Sequence, residues 1–217
     1  MSLRLAVLEN TNLNTSFSVS KTFGELEERR VLTMKNERRR AESLAGLEAL
    51  YKALNGRRVG DIERDSEGRP FFVGDVGIDF SISHSGCLSV AALLEGNLGR
   101  VGVDVEKIDE KKEDTQRRIA GRYFSDEENL AFLRHSTPLE FYKIWTAKEA
   151  RAKLFGFGLA QMLSVDRTVK RNEDVFIFHF LLTCKNEKYV LALGTSKDEK
   201  IDFICGDGIS VSAINVN

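Results

Sequence analysis

Val101-Gly102-Val103-Asp104-Val105-Glu106 is the stretch on which the fold turns. Its period of two predicts a strand with valines on one face and Gly102, Asp104 and Glu106 on the other. Acidic residues beside valines suit a solvated edge strand, the bland account of any Asp-x-Glu. Gly102 adds something to that account. With no side chain at that point of the acidic face, a ligand or another backbone has room to approach.

Other elements follow outward from this strand. Ile78, Phe80 and Ile82 alternate with Asp79, Ser81 and Ser83, which predicts a half-buried strand ending near His84. Residues 88–94 are apolar apart from Ser89 and suit a central strand. Toward the N-terminus, residues 3–8 read as a strand and 24–35 as a helix. Leu44, Leu47, Leu50 and Leu54 recur at helical spacing, so 37–54 is a helix with a clear apolar face. The polar, glycine-containing stretch 55–70 reads mostly as loop.

Toward the C-terminus, residues 114–123 form a short helix or loop. Ser125 followed by Glu128, and Thr137-Pro138 followed by Glu140, are two helix starts, each with an N-cap and an acidic third residue. The second helix is expected to run from Pro138 to Phe155 and stop at Gly156 of Gly156-Phe157-Gly158. Residues 175–184, 189–193 and segments within 201–214 are expected to be antiparallel strands. The order strand, helices, strands occurs twice, about Asn97. This predicts an α+β fold of two similar halves, 1–97 and 98–217, with a cleft between them.

The composition excludes several classes. With 217 residues, 42% hydrophobic and 30% charged, the chain suits a globular protein rather than a disordered or fibrous one. The 32 basic and 33 acidic residues leave a net charge of −1, so no bulk field draws the chain to nucleic acid or an acidic membrane. Any anion site is local. No apolar run approaches the roughly 18 residues a membrane span requires, and a cytoplasmic protein is expected. Cys87, Cys184 and Cys205 lack zinc-site spacing and are expected to be reduced, buried thiols.

The residues that carry chemistry each have a structural alternative. Glu149 and Lys153 are four apart on one helix face with Trp145; a surface ion pair is the plain account, and a carboxylate joining Asp104 and Glu106 around a hard cation is the functional one. His84 closes a strand before Ser85-Gly86, where an imidazole can meet a pyrophosphate or merely hold a turn. Glu128 already serves as the third residue of a capping box, and a role in the cleft is the functional alternative. Arg38 to Arg40 form either a solvated helix start or a phosphate clamp. His135, at a helix end, and His179, within an apolar strand, are read as structural.

In this order, Gly68-Arg69-Pro70, Phe80-Ser81-Ile82-Ser83-His84-Ser85, Gly102-Val103-Asp104-Val105-Glu106, Phe124-Ser125 with Glu128, and Trp145-x-x-Lys148-Glu149-Ala150-x-x-Lys153 resemble the Sfp-type 4'-phosphopantetheinyl transferases. The match covers roughly residues 38–160. The resemblance implies a monomer of two α/β halves related by a pseudo-twofold, with coenzyme A and Mg2+ between them. It implies transfer of the phosphopantetheine arm to a serine of an apo acyl or peptidyl carrier protein, with release of 3',5'-ADP. Asp104, Glu106 and Glu149 would hold the magnesium. His84 and Lys153 would meet the pyrophosphate, with Arg69, Ser83 and Lys148 also along coenzyme A and Arg40 or Ser43 near the 3'-phosphate. Glu149, Lys153, His84 and Glu128 form the expected catalytic set. Arg117, Arg118 and Arg122, in the charged stretch after Glu106, would dock an acidic carrier, or else belong to a solvated helix. The alternative is a module of the same fold that binds coenzyme A or a carrier without catalysis.

Overall fold

A computed structural model describes residues 2–10, 18–74, 77–96, 99–110, 113–157 and 175–214. Gly158, Lys111 and Lys112, and the divide at 97 and 98, lie outside these residues. The elements run β1 (Ser2–Glu9), α1 (Val19–Phe23), α2 (Glu25–Leu32), α3 (Glu37–Ala53), β2 (Ile62–Arg64), β3 (Pro70–Phe72), β4 (Ile78–Ser85), β5 (Leu88–Glu95), β6 (Val101–Lys107). They continue as α4 (Glu113–Tyr123), α5 (Asp126–His135), α6 (Pro138–Phe155), β7 (Phe176–Cys184), β8 (Glu187–Thr195), β9 (Ile201–Cys205) and β10 (Ser210–Ala213). The fold is α+β.

Two four-stranded sheets carry the molecule, in the orders β4-β5-β1-β9 and β10-β7-β8-β6. Their facing surfaces share one apolar core, in which Leu3, Leu5, Leu88 and Val90 from the first sheet meet Val101, Val103, Val105 and Leu191 from the second. Helix α3 covers the outer face of the first sheet with Leu47, Ala49, Leu50 and Ala53, packed with Phe80, Ala91 and Leu93. Helix α6 lies against β6 and β8. A third cluster, built on Phe124, Phe132 and Phe141, ties α4, α5 and α6 together.

Sequence signals account for most boundaries. Both predicted N-caps form: the Ser125 hydroxyl accepts from the Glu128 N–H, and that of Thr137 from the Glu140 N–H. Helix α6 ends at Gly156, whose φ of 77° is the left-handed conformation that suits glycine.

Several expectations need correction. Residues 62–64 and 70–72 pair as a small antiparallel hairpin rather than a loop; three-residue strands are too short to show a period. β9 joins β1 in parallel, whereas β10 pairs antiparallel with β7. Alternation reports which face a residue takes and says nothing of strand direction. Cys205, on the outer strand of its sheet, is exposed rather than buried.

The polar face of β4 also departs from the half-buried pattern. Its centre, Ser81 and Ser83, is buried under β6, with Asp79 and Ser85 half-buried at either end, because the side chains of Asp79, Ser81, Ser83 and Ser85 accept hydrogen bonds from the backbone N–H groups of Val101 (2.7 Å), Val103 (3.1 Å), Val105 (3.4 Å) and Lys107 (3.0 Å). Four β6 donors on the strand's open edge find partners in this way. One sheet edge is thereby laced to a strand of the other sheet by side chains rather than by a ladder.

Candidate active site

The lacing and the helix packing fix where the acidic face of β6 looks. A Cβ on Gly102 would stand 2.5 Å from the Leu154 nitrogen and closer still to the Ala150 carbonyl oxygen. The space read from the sequence is thus filled by the backbone of α6, which lies directly on β6. Two residues on, the same face presents Asp104 to the same helix.

Asp104 is 5% exposed. Its Oδ1 accepts from Lys153 Nζ at 2.9 Å and from Ser83 Oγ at 2.8 Å, while Oδ2 is buried without a hydrogen-bond partner. Lys153 Nζ also reaches Ser83 Oγ at 2.9 Å. Asp104, Ser83 and Lys153 thus form a closed triangle drawn from β6, β4 and α6. Glu106 Oε2 accepts from Ser85 Oγ at 2.9 Å, repeating the β4–β6 relation two residues on.

Glu149 stands one turn before Lys153. Burial, and next the charge of Asp104, push its carboxyl up from the ordinary 4.5 to about 7; Lys153 opposes the rise and Glu106 adds to it. Four groups predicted from the sequence, Asp104, Glu106, Glu149 and Lys153, therefore share one electrostatic environment. Among the described residues, no three His, Cys, Asp or Glu side chains are grouped as a metal-holding cluster.

Beside this constellation opens a cleft of about 340 Å³, lined by Ser43, Arg69, Phe80, Ser81, His84, Lys153 and Phe157 among others. His84 Nδ1 lies 3.5 Å from Glu42 Oε2 on α3. Burial lowers the His84 pKa, Glu42 works against that, and Lys153 adds to the lowering. The Ser43 hydroxyl donates to Met34 Sδ at 3.5 Å, and Ser43 sits at the cleft wall.

Not every predicted residue faces this space in the same way. The Arg69 guanidinium is held by Asp79 Oδ2 at 2.6 Å and by the carbonyls of Val101 (3.1 Å) and Leu154 (3.3 Å), so it clamps β4, β6 and the end of α6 while lining the cleft. Lys148 is 4% exposed and pairs with both Glu128 oxygens, at 3.2 and 2.9 Å; neither residue is among those lining the cleft. The reason is helical geometry. One residue turns the helix by about 100°, so Lys148 faces α5 when Glu149 and Lys153 face β6. Glu128 Oε2 also accepts from the Ser125 N–H at 2.8 Å, completing the capping box. Arg40 lies 3.9 Å from Glu37 and is not among the lining residues either.

Trp145 belongs to the aromatic cluster, stacked on Phe141 with centroids 6.3 Å apart. His179 bonds the Lys143 carbonyl through Nε2 at 3.0 Å, in keeping with a structural role. Arg117, Arg118 and Arg122 are exposed on α4, with Arg117 paired to Glu113 at 2.8 Å.

Three contributors were not picked out from the sequence. Glu42 is buried beside His84, and Arg30 and Arg64 line the cleft, both anchored on the buried Glu27. The spacing of Arg38 and Glu42 was a usable signal, since it puts an acid inward from an exposed base on the same helix face. Arg64, in a three-residue strand, gave none. With Arg69 and Lys153, these arginines make the described lining more basic than acidic, four cationic side chains against Glu27 and Glu67.

The model of the 4'-phosphopantetheinyl transferase superfamily matches residues 100–204, which include β6 and α6. The 4'-phosphopantetheinyl transferase AcpT of Salmonella typhimurium is 36% identical over 135 residues, covering 60% of this chain and 67% of that protein. AcpT of Escherichia coli is 32% identical over 160 residues, or 72% of this chain and 76% of the relative. The transferase psf-1 of Bacillus pumilus is 33% identical over 117 residues, 52% of this chain and 46% of its own length. On this similarity, the chain belongs to the 4'-phosphopantetheinyl transferase superfamily.

Proposed function

We propose that the chain transfers the phosphopantetheine arm of coenzyme A to a serine hydroxyl of an acyl or peptidyl carrier protein at the meeting point of β4, β6 and α6. The observation that carries this reading is the Asp104–Ser83–Lys153 triangle beside Glu149, whose Lys153 reaches the lining of a basic cleft. The family acts on coenzyme A and carrier proteins. A cleft with more basic than acidic side chains suits a polyanionic nucleotide.

The oxygen donors fit a hard divalent cation in kind. Asp104 has a buried oxygen without a partner, and Asp104 and Glu106 both raise the Glu149 pKa, a mutual repulsion that a cation relieves. Asp104, Glu106 and Glu149 would hold it, and a bound magnesium ion would supply charge neutralisation to the pyrophosphate. The remaining chemistry falls to the chain itself. Lys153, anchored by Asp104 and Ser83, donates toward developing charge on the leaving ADP oxygen. His84 donates from the adjacent cleft wall. Glu149 takes the proton of the carrier serine, directly or through a water. The serine oxygen then forms a bond to the phosphorus carrying the pantetheine arm, and the pyrophosphate P–O bond breaks to release 3',5'-ADP.

In this reading Arg69 and Ser43 border the nucleotide, and Arg40 lies further out on α3. Lys148 and Glu128 act by fixing α6 against α5. The halves 1–97 and 98–217, related by a pseudo-twofold, would form one monomeric unit with the cleft between them. None of the described helices is long and apolar enough to cross a membrane.

The test is the intact mass of several apo carrier proteins after incubation with this chain, coenzyme A and magnesium. A gain of one phosphopantetheine, abolished by chelator and by Asp104→Ala, is expected. No gain on any carrier, with coenzyme A still bound, would replace catalysis with a binding role.

A further inference from the structure

Glu42 is a carboxylate inside the molecule, 8% exposed, on the face of α3 turned toward the end of β4. Burying a carboxylate is costly unless its oxygens are engaged. One oxygen, Oε1, accepts from Arg38 Nε at 2.9 Å, but the Arg38 side chain is 76% exposed, and such pairs contribute little. The other, Oε2, stands 3.5 Å from His84 Nδ1. Glu42 is also held from its backbone, since its carbonyl accepts from the buried Ser89 hydroxyl on β5 at 3.4 Å. The carboxylate is therefore a fixed wall on one side of an imidazole that lines the cleft.

An imidazole has two nitrogens on opposite sides of the ring, and the group facing one decides what the other presents. With Nδ1 turned to a carboxylate, Nδ1 carries the proton and Nε2 is left for the cleft. We propose that Glu42 is a positioning residue for the transfer reaction: it fixes the His84 ring with Nδ1 inward, so that Nε2 meets a phosphate of coenzyme A. The inference rests on the reading that the cleft takes coenzyme A.

The surroundings of His84 set what happens when phosphate enters. Glu42 and Arg38 face it from α3, Lys153 from α6 and Asp104 from β6. Without an anion, burial and the two cations hold the His84 pKa below the ordinary 6.5 against the pull of the two carboxylates. A phosphate at Nε2 adds the missing negative charge, and the ring takes a second proton, held by Glu42 on one side and by phosphate on the other. Binding of coenzyme A then takes up a proton. Glu42→Gln keeps the shape but removes the charge that holds the imidazolium.

Coenzyme A affinity of the whole protein, measured by titration calorimetry from pH 6 to 9, tests this. Wild type should bind more weakly as pH rises, and Glu42→Gln should weaken binding by about tenfold at pH 7, in the range of a charge-assisted hydrogen bond. In a His84→Ala background the same change should cost nothing. Equal losses in both backgrounds would overturn the inference. Nitrogen-15 NMR of the wild-type His84 ring needs no variant. A protonated Nδ1 with bare Nε2 in the free protein is expected, and the opposite tautomer would overturn the assignment. Failure of wild type to bind coenzyme A at all would instead remove the reading on which the inference rests.

Discussion

Gly102 of β6 and Ala150 of α6 touch backbone to backbone: no side chain of any size fits between them. This contact sets the distance between the acidic face of β6 and the helix that carries Glu149 and Lys153. A methyl group there must push the helix outward, because the atoms it meets are backbone rather than a yielding side-chain tip. Gly102→Ala should cost about 1–3 kcal/mol of stability or more. It should also lower turnover beyond what unfolding explains, since the Lys153–Asp104 contact lengthens. Thermal unfolding and kcat measured below the melting range check both; unchanged values would mean that the helix is not seated as described.

Ser83 links three groups in one hydroxyl, accepting from the Val105 N–H and from Lys153 and donating to Asp104. Ser83→Ala strands a buried N–H and loosens Lys153, at about 1–3 kcal/mol for the unmet donor. Denaturant unfolding should show that loss, and steady-state kinetics should show a raised KM for coenzyme A. Preserved stability would argue that β6 does not depend on the β4 side chains for its edge.

These two relationships also mark how far the sequence was legible. The alternation of Val101 to Glu106 declared the two faces of β6, and the caps at Thr137 and Gly156 bounded α6 to the residue. Periodicity and capping are local, so they are written locally. The meeting of β4 with β6 is not local. Asp79, Ser81, Ser83 and Ser85 advertise a polar face, but only the tertiary fold says that a sheet edge rather than water covers it. Lys148 shows the same limit at finer scale. A motif places it beside Glu149, whereas the helix turns it toward Glu128.

The pairing of Lys148 with Glu128 gives a way to separate architecture from catalysis. Glu128→Ala removes the acceptor of the Ser125 N–H and a partner of a buried ammonium together. The cap alone is worth about 1 kcal/mol, and the buried charge makes the loss larger. The melting temperature should fall, and kcat at low temperature should drop far less than it does in Glu149→Gln. A kcat loss as deep as that of Glu149→Gln, with unaltered melting, would give Glu128 a direct part in transfer.

Arg117, Arg118 and Arg122 are exposed on α4 and are not among the residues lining the cleft, so a carrier protein presenting acidic helices is expected to meet them there. Reversing Arg117 and Arg118 to Glu should raise KM for the carrier by about tenfold at low salt while leaving KM for coenzyme A unchanged, with the effect fading as salt rises. An unaltered carrier KM would move the docking surface elsewhere.

The carboxyl of Glu149 predicts a pH dependence with a definite sign. Its pKa in the folded chain is about 7, against an ordinary 4.5, chiefly through burial and then through the charge of Asp104. Between these two values the folded state holds more protons than the unfolded state, so stability falls as pH rises across that window and the loss is complete above it. Glu149→Gln cannot ionise and escapes this loss. In the presence of chelator, the variant should therefore gain on wild type from pH 5 to pH 8, with most of the change between pH 5 and 7. Thermal unfolding of both proteins across that range checks the sign. A difference that stays flat with pH would mean that Glu149 does not share its surroundings with Asp104, and the shared-carboxylate basis for a cation at this site would go with it.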